Sequence, residues 1–520
     1  MSRSTITLMV IAVSITAAAV YLPTLGADFV YDDIPQIVID NYIHKAANLG
    51  EVLSFRVLQR DVLDHNRPIM LLSLMIDSML WGHNPVGYHL SNLLLHVLCT
   101  ALLLLLLLGI FSRLAGSGGR TTRPFLGALF GAMLFAVHPA NTEAVCVVSF
   151  REDILVAFFT LIGLSLAQRF PTQRKLTTVL LGSGCALSML AAVASKESGA
   201  VVPALLLIYW LVVRQRTHPR EWITLIAVVF AVTVGFLAAR FACEPGHSVI
   251  FTEKPVYPDG SFSKMLRIQP RIWAFQLGVL FRPDLLCADK TGYTIRNVSL
   301  TTALLVLAVT AIGTFVLARR NSAVGLGAAF YWLALLPVSN LTPIYRPMAD
   351  RYLYFPMVGV CLAVGAIIWR LKIPQNRWMR TLLIMGAAAA CSVLGVSTVQ
   401  QTRVWQNERS LWETTVEKNP YSFTANNNLG LALFDDGEFD KAVEVFKQAC
   451  NLSPGDADPW ARLAITYDAM QMPNLAEEAL RQAAARDQRY TDPALLVESL
   501  TWEPRLAKKL QTIADRTFKH

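Results

Sequence analysis

The number of apolar runs this chain must keep from water constrains it more than anything else. Runs long enough to cross a bilayer, about 20 residues each, fall near 5–23, 88–112, 124–140, 153–169, 177–195, 199–213, 222–241, 299–318, 323–338, 354–370 and 381–399. In lipid every backbone polar group needs an internal partner, and runs of this kind find it as helices. The expected fold class is therefore all-α, a polytopic membrane bundle of about eleven transmembrane helices. The composition agrees: 54% of the residues are hydrophobic and 16% charged, against about 25% charged in soluble domains.

The net charge of +9 points to nucleic acid only if the charges are spread over a soluble surface, and they are not. With a cytoplasmic N-terminus, the inward loops hold Arg113, Arg120, Arg123, Arg169, Arg174, Lys175, Arg214, Arg216, Arg220, Arg319, Arg320, Arg370, Lys372, Arg377 and Arg380, against the single acid Glu221. This is the positive-inside bias, and it fixes an odd span count and an extracytoplasmic C-terminus. Nucleic acid is excluded as a partner. The first run reads as an uncleaved anchor in an inner, cytoplasmic membrane; Ala17-Ala18-Ala19 offers small residues for cleavage, but the run exceeds a usual signal core of about 7–15 residues.

Three outward segments are large: 24–87, 242–298 and the C-terminus. In the first, Asn48–Leu58 and Ile69–Trp81 read as interfacial helices; in the second, Ile272–Phe281 is too short to cross and reads as a surface segment. The eight cysteines form no CxxC pair and no His/Cys cluster, which argues against a zinc or redox motif. Cys243 and Cys287 alone share one outward loop, so a disulfide between them is expected in an oxidising compartment.

The C-terminus carries a 34-residue period. Leu429-Gly430, Ala442, Phe446, Ala449 and Pro454 are followed by Leu463-Ala464, Ala476, Leu480 and Ala483, with Trp460 and Tyr467 at early aromatic positions. This spacing predicts tetratricopeptide-type helix pairs, small alanines allowing close approach and large residues filling the groove. Val404–Lys418, with Trp405 and Trp412, reads as a half-repeat joining the last span to the array. The expected domains are 1–399 in the membrane, 400–491 as repeats and 492–520 as a helical tail.

Two adjacent carboxylates, Asp32 and Asp33, stand in the first outward loop within Phe29-Val30-Tyr31-Asp32-Asp33. Such a pair can act as a general base and an orienting ligand; an ordinary solvated acidic loop has the same local sequence. Further polar residues gather at the outward helix ends: Arg67-Pro68; His89, Asn92 and His96; His138-Pro139 with Glu143; Arg151, Glu152 and Asp153; Lys196-Glu197; and Arg346, Asp350 and Arg351. Each has a structural reading as an ion pair or interhelical bond. Together they form a mixed-charge cavity of the kind a lipid-phosphate donor needs, with cations for the phosphate and a carboxylate for the acceptor.

In order along the chain, the Phe-x-Tyr-Asp-Asp loop, Asn66-Arg67-Pro68, Gly87-Tyr88-His89-Leu90-Ser91-Asn92-Leu93-Leu94-Leu95-His96, His138-Pro139 with Thr142-Glu143-Ala144-Val145, Ser195-Lys196-Glu197, and Ala349-Asp350-Arg351-Tyr352-Leu353-Tyr354 resemble the transmembrane-and-tetratricopeptide-repeat protein O-mannosyltransferases and their bacterial relatives. The resemblance implies a C-type glycosyltransferase fold and a polyprenyl-phosphate-linked sugar, a hexose such as mannose, as donor. It also implies transfer on the extracytoplasmic face, with inversion, to a protein or glycan acceptor bound by the repeats. It makes Asp32 and Asp33 the expected catalytic position, with Lys196, Arg346, Arg351, Arg67 and Arg151 toward the donor phosphate and His89, His138, Glu143, Asp153, Glu197 and Asp350 in support. No soluble cofactor is implied, and a divalent cation is left open.

The chain departs from the family in two places. Phe150-Arg151-Glu152-Asp153 stands where relatives show a Gly-Arg-Ala-Asp type string, and the repeat array is short. Two other readings of the sequence are a non-enzymatic scaffold or transporter with a partner-binding array, and an envelope glycan ligase or polymerase. A transporter places its ionisable groups near the bilayer midplane, whereas these lie at outward ends.

Overall fold

The computed structural model describes residues 2–115, 123–214, 217–243, 257, 260–290, 298–344, 346–371, 376–492, 494–495 and 502–518. Arg120, Arg216 and Lys372 of the inward loops, and much of the second outward loop, lie outside them. All regular elements among the described residues are helical. The protein is a multi-pass membrane bundle followed by helix pairs.

Among the described residues, seven helices are long and apolar enough to cross a membrane: Arg3–Gly26, Pro85–Ala115, Lys175–Ser195, Pro219–Cys243, Leu300–Arg320, Asp350–Arg370 and Arg377–Val404. An eighth is a bent pair, Pro124–Val137 with Pro139–Cys146, broken by 52°. The remaining three of the eleven expected runs fold as shorter helices: Arg151–Ala167 has 17 residues, Val202–Val213 has 12 and Ser322–Leu335 has 14. In the second and third, part of the expected run is taken by 3-10 turns, Glu197–Val201 and Leu336–Val338, and a further 3-10 turn, Val148–Phe150, precedes the first. Glu197–Val201 packs against Leu336–Val338, and Pro139–Asn141 packs against Asp350–Leu353. Glu197, Arg351 and Tyr352 of the site described below lie in these turns.

The outer helices show what solvent this fold requires. Along Leu300–Arg320 only Ala303 is buried, leaving Leu304, Leu305, Val309, Ile312 and Phe315 exposed. Such a continuous apolar surface is stable only against lipid. The inner helices meet through glycine, as membrane helices do where backbones approach closely: a Cβ on Gly327 would lie 2.6 Å from the Gly359 carbonyl oxygen.

Beyond the bundle, the last long helix runs unbroken to Val404, past residue 399. Glu408–Lys418 follows, with Trp405, Leu411 and Trp412 buried. The two 34-residue units fold as helix pairs, Phe423–Asp435 with Phe439–Leu452 and Asp458–Ala469 with Pro473–Arg486. Glycine at 430 is required by a close approach, because a Cβ there would lie 2.6 Å from the Phe446 ring. A strongly amphipathic tail helix, Pro504–Phe518, seats Leu506, Leu510 and Ile513 on the array. Arg505 from this tail reaches Asp435 at 2.7 Å, so the tail also touches the first helix of the first pair.

The structure corrects the expected disulfide. Cys243 and Cys287 are both free. Cys243 ends its helix beside the Gln59 amide, whereas Cys287 is buried, its backbone N–H donating to Asp350 Oδ2 at 3.0 Å. Membership of one loop does not bring two residues together when each end is held by a different neighbour.

Candidate functional site

The two adjacent aspartates occupy different environments. After the 3-10 turn Leu22–Gly26 the chain enters the first loop, and Tyr31 adopts a left-handed conformation with φ of 60°. Asp33 turns inward and has no exposed surface. Its Oδ1 accepts from the Ser149 N–H at 2.7 Å and its Oδ2 from the Val148 N–H at 3.2 Å. It thus satisfies free amides just before the Arg151–Ala167 helix, where a helix start lacks partners. Burial raises the Asp33 pKa to about 7, and the bonds from Ser149, Val148 and Val30 oppose that rise.

Asp32 points the other way. It is part-exposed, and among the described residues its carboxylate has no hydrogen bond. Burial raises its pKa, with Arg346 and then Arg351 pulling it back. A part-exposed carboxylate whose pKa is raised suits proton abstraction.

The cations around it differ in how firmly they are held. Arg346 lies 3.7 Å from Asp289, its side chain about a quarter exposed, with its guanidinium 4.9 Å from the centre of the Tyr31 ring. Arg351 is fixed more tightly: its Nη1 lies 2.5 Å from Glu143 Oε1, its backbone N–H donates to Glu143 Oε2 at 3.0 Å, and it lies over the Phe150 ring at 3.7 Å. Lys196 lies 2.5 Å from Asp153 and 3.3 Å from Glu152. Arg67 joins Asp64, Glu152 and Glu197 at 2.7, 3.1 and 3.3 Å, and Glu197 also takes Arg240 at 2.6 Å. Lys196 and Arg351 approach the same ring, Tyr352, at 5.1 and 5.2 Å. These groups therefore line one continuous polar region beside Asp32.

Other residues singled out from the sequence sit elsewhere. Arg151 is buried, 2.5 Å from Asp77, and also donates to Asn92 Oδ1 and to the Tyr88 and Ser73 carbonyls; it ties the bundle together rather than facing Asp32. His89 lies 3.3 Å from the Asp28 carbonyl, His96 is 2.9 Å from the Tyr354 hydroxyl, and His138 is 3.0 Å from the Leu280 carbonyl. Asp350 pairs with buried Lys290. Among the described residues no group of three or more His, Cys, Asp or Glu side chains is arranged to hold a metal ion.

Sequence reasoning passed over Asp64, Asp289, Lys290, Arg240 and Glu408. Glu408 takes the Tyr31 N–H through one carboxylate oxygen and the Trp412 indole N–H through the other. In sequence it is an ordinary acid in the first turn of a helix, the place where acids favour the helix dipole. Nothing local marks its long-range partner. Tyr31 and Tyr352, by contrast, lie inside the motifs already quoted, beside Asp32 and Arg351.

The fold and site define a polytopic membrane protein with a repeat array over a buried ionic site at one end of its helices. The family described as "Tetratricopeptide repeat" matches residues 433–500. The chain is similar to protein O-mannosyl-transferases. It is 28% identical to Tmtc3 of Drosophila melanogaster over 81% of this chain and 52% of that protein. It is 25% identical to F38B6.6 of Caenorhabditis elegans over 84% and 61%, and 24% identical to TMTC3 of Homo sapiens over 89% and 53%. The chain thus spans about half to three fifths of these relatives. A looser overlap, with a TM-score of 0.41 and 15% identity, covers 97% of this chain and 77% of apo ArnT from Cupriavidus metallidurans.

Proposed function

We propose that this protein is a membrane glycosyltransferase that moves a hexose, mannose in the first instance, from a polyprenyl-phosphate donor to a protein acceptor. The reaction takes place on the extracytoplasmic face of an inner membrane, with the N-terminus inside and the repeats outside, the orientation that the basic inward loops favour. The observation that carries the reading is the split between the paired aspartates: Asp33 is consumed by backbone amides, while Asp32 is left unbonded between arginines. The similarity to protein O-mannosyl-transferases supplies the sugar and the acceptor class.

In this reading Asp32 is the base. It takes the proton of an acceptor hydroxyl as that oxygen bonds to the sugar's anomeric carbon. The bond from that carbon to the phosphate oxygen breaks, and its electron pair leaves with the polyprenyl phosphate. Attack opposite the leaving group inverts the centre. Arg346 is the phosphate ligand best placed to move, since its hold on Asp289 is long and partly exposed. Lys196, Arg351 and Arg67 supply the surrounding positive potential from their carboxylate partners. Arg151 is assigned to structure. Residues 1–399 form the catalytic domain, 400–491 the acceptor-binding array and 492–520 its cap.

The test is transfer of radiolabelled mannose from polyprenyl-phosphate mannose to membrane proteins. Asp32→Asn should lower the rate by about 10²–10⁴-fold, the range for loss of a general base, with normal membrane yield. Undiminished transfer by that variant would sink the mechanism.

A further inference from the structure

The site is not closed by the membrane domain alone. Where the chain leaves its last long helix, it returns over the first loop. The Asp28 N–H donates to the Gln406 carbonyl at 2.9 Å. The Tyr31 N–H donates to Glu408, and the Trp412 indole N–H donates to the other oxygen of the same carboxylate. Trp412 is buried and meets the Tyr31 ring edge to face, with centroids 5.2 Å apart. The same connector grips the second outward segment: Ser422 Oγ donates to Asp289 Oδ2 at 2.6 Å and Asn419 Nδ2 to the Asp289 carbonyl at 3.1 Å.

Tyr31 is where this grip matters. A bulky residue at φ of 60° is strained, and such a conformation persists only when its surroundings hold it. If Tyr31 relaxes to negative φ, the direction in which the chain presents the next side chain changes, and that side chain is Asp32. Four contacts hold Tyr31 in place: the Glu408 carboxylate on its N–H, the Trp412 edge on its ring, the Phe150 ring 5.6 Å away and the Arg346 guanidinium 4.9 Å from its ring centre. Two of the four come from the helix that opens the repeat domain.

We propose that Glu408 is a positioning residue that holds Tyr31 in its left-handed turn and thereby aims Asp32, so that the connector to the repeats is a working wall of the active site. The inference rests on the reading of Asp32 as the base. Glu408 touches neither donor nor acceptor; it acts through the Tyr31 backbone. Its two oxygens each accept one hydrogen bond, from the Tyr31 N–H and from the Trp412 indole N–H, so the carboxylate is matched to two donors and an amide is not. Glutamine would present one acceptor and one donor, leaving one of the two N–H groups facing another N–H.

That mismatch gives a test with an internal rescue. Full-length wild type, Glu408→Ala, Glu408→Gln, Glu408→Gln with Trp412→Phe, and Asp32→Asn are compared in membranes. Initial rates are measured against polyprenyl-phosphate mannose, and thermal midpoints on the extracted proteins. The expected kcat order is wild type, then Glu408→Gln with Trp412→Phe, then Glu408→Gln, then Glu408→Ala. The last should be lowered at least about tenfold, with the donor KM within about twofold of wild type. Recovery in the double variant supports the proposal, because removing the competing indole N–H returns the amide oxygen to Tyr31. The inference is overturned if both Glu408→Gln proteins keep wild-type kcat while Asp32→Asn is inactive, a result that leaves the base intact. It is also overturned if the double variant is no better than Glu408→Gln, or if kcat falls only in step with the thermal midpoint. Wild-type activity of Asp32→Asn would instead remove the base itself.

Discussion

The polar end of the bundle and the repeat array both abound in ion pairs, yet the pairs sit in opposite media. In the bundle, Arg151 and Asp77 lie 2.5 Å apart with side chains 1% and 4% exposed. In the array, Arg505 and Asp435 lie 2.7 Å apart with side chains 53% and 33% exposed. The contact is the same, but the alternative to it differs: a broken surface pair returns to water, whereas a broken buried pair leaves a charge with nothing to solvate it. Charge pairs thus hold the bundle to one arrangement and merely decorate the repeats. The site draws on the first kind, which is how so many like-charged groups stay close around Asp32.

The largest effect should come from Asp77→Ala, which strands the Arg151 guanidinium. A loss of about 3–5 kcal/mol is expected for removing one partner of a buried pair, read as a collapse in folded yield and thermal midpoint of the detergent-extracted protein. Replacing both residues, Arg151→Met with Asp77→Leu, should recover most of that loss. A double variant no better than the single would mean that Arg151 depends on its bonds to Asn92 and the carbonyls rather than on the charge of Asp77.

Asp33 gives a pH-dependent form of the same comparison. Its folded pKa is raised by burial to about 7, so the folded state holds a proton that the unfolded chain releases near pH 4. Its contribution to stability is fully present below about pH 4, falls as pH rises toward 7 and is flat above. Asp33→Asn should flatten the thermal midpoint across that window, although the protein is less stable throughout because an amide cannot accept from both Val148 and Ser149. An unchanged slope would show that another group sets it. At the small end, Arg505→Ala should cost about 0.2–1 kcal/mol, a shift of a few degrees at most in the same measurement. A larger loss would mean that the tail's ion pair is part of the array's core rather than its surface.

The legible part of this molecule was the part that repeats or runs. Apolar stretches and the 34-residue spacing are local patterns with physical periods, and they located most of the spans and both helix pairs. Span lengths were less legible: Val202–Val213 and Ser322–Leu335 each give one end of the expected run to a 3-10 turn, and a turn inside an apolar run leaves little trace in composition. In the site, the polar residues at the helix ends were visible as a set, but their division of labour was not. Asp32 and Asp33 are neighbours with the same chemistry, and only the amides of Val148 and Ser149, far along the chain, separate them. Arg151 stood among the phosphate candidates, behind Arg346, because its burial against Asp77 has no local signature. The disulfide expectation failed for the same reason: a shared loop says nothing about where each end is anchored.

The unbroken passage of the Arg377–Val404 helix into the connector has a consequence for how such proteins vary in size. Ser422, at the start of the first helix pair, grips the loop residue Asp289. Units inserted beyond Asp456 would lengthen the array without disturbing that grip, whereas an exchange made at the end of the membrane segment would remove Gln406, Glu408 and Trp412 from above Asp32. Length is thus free to drift on one side of Ser422 and tethered on the other. A chimaera that joins these membrane helices to a foreign array should keep this chain's own residues through Ser422.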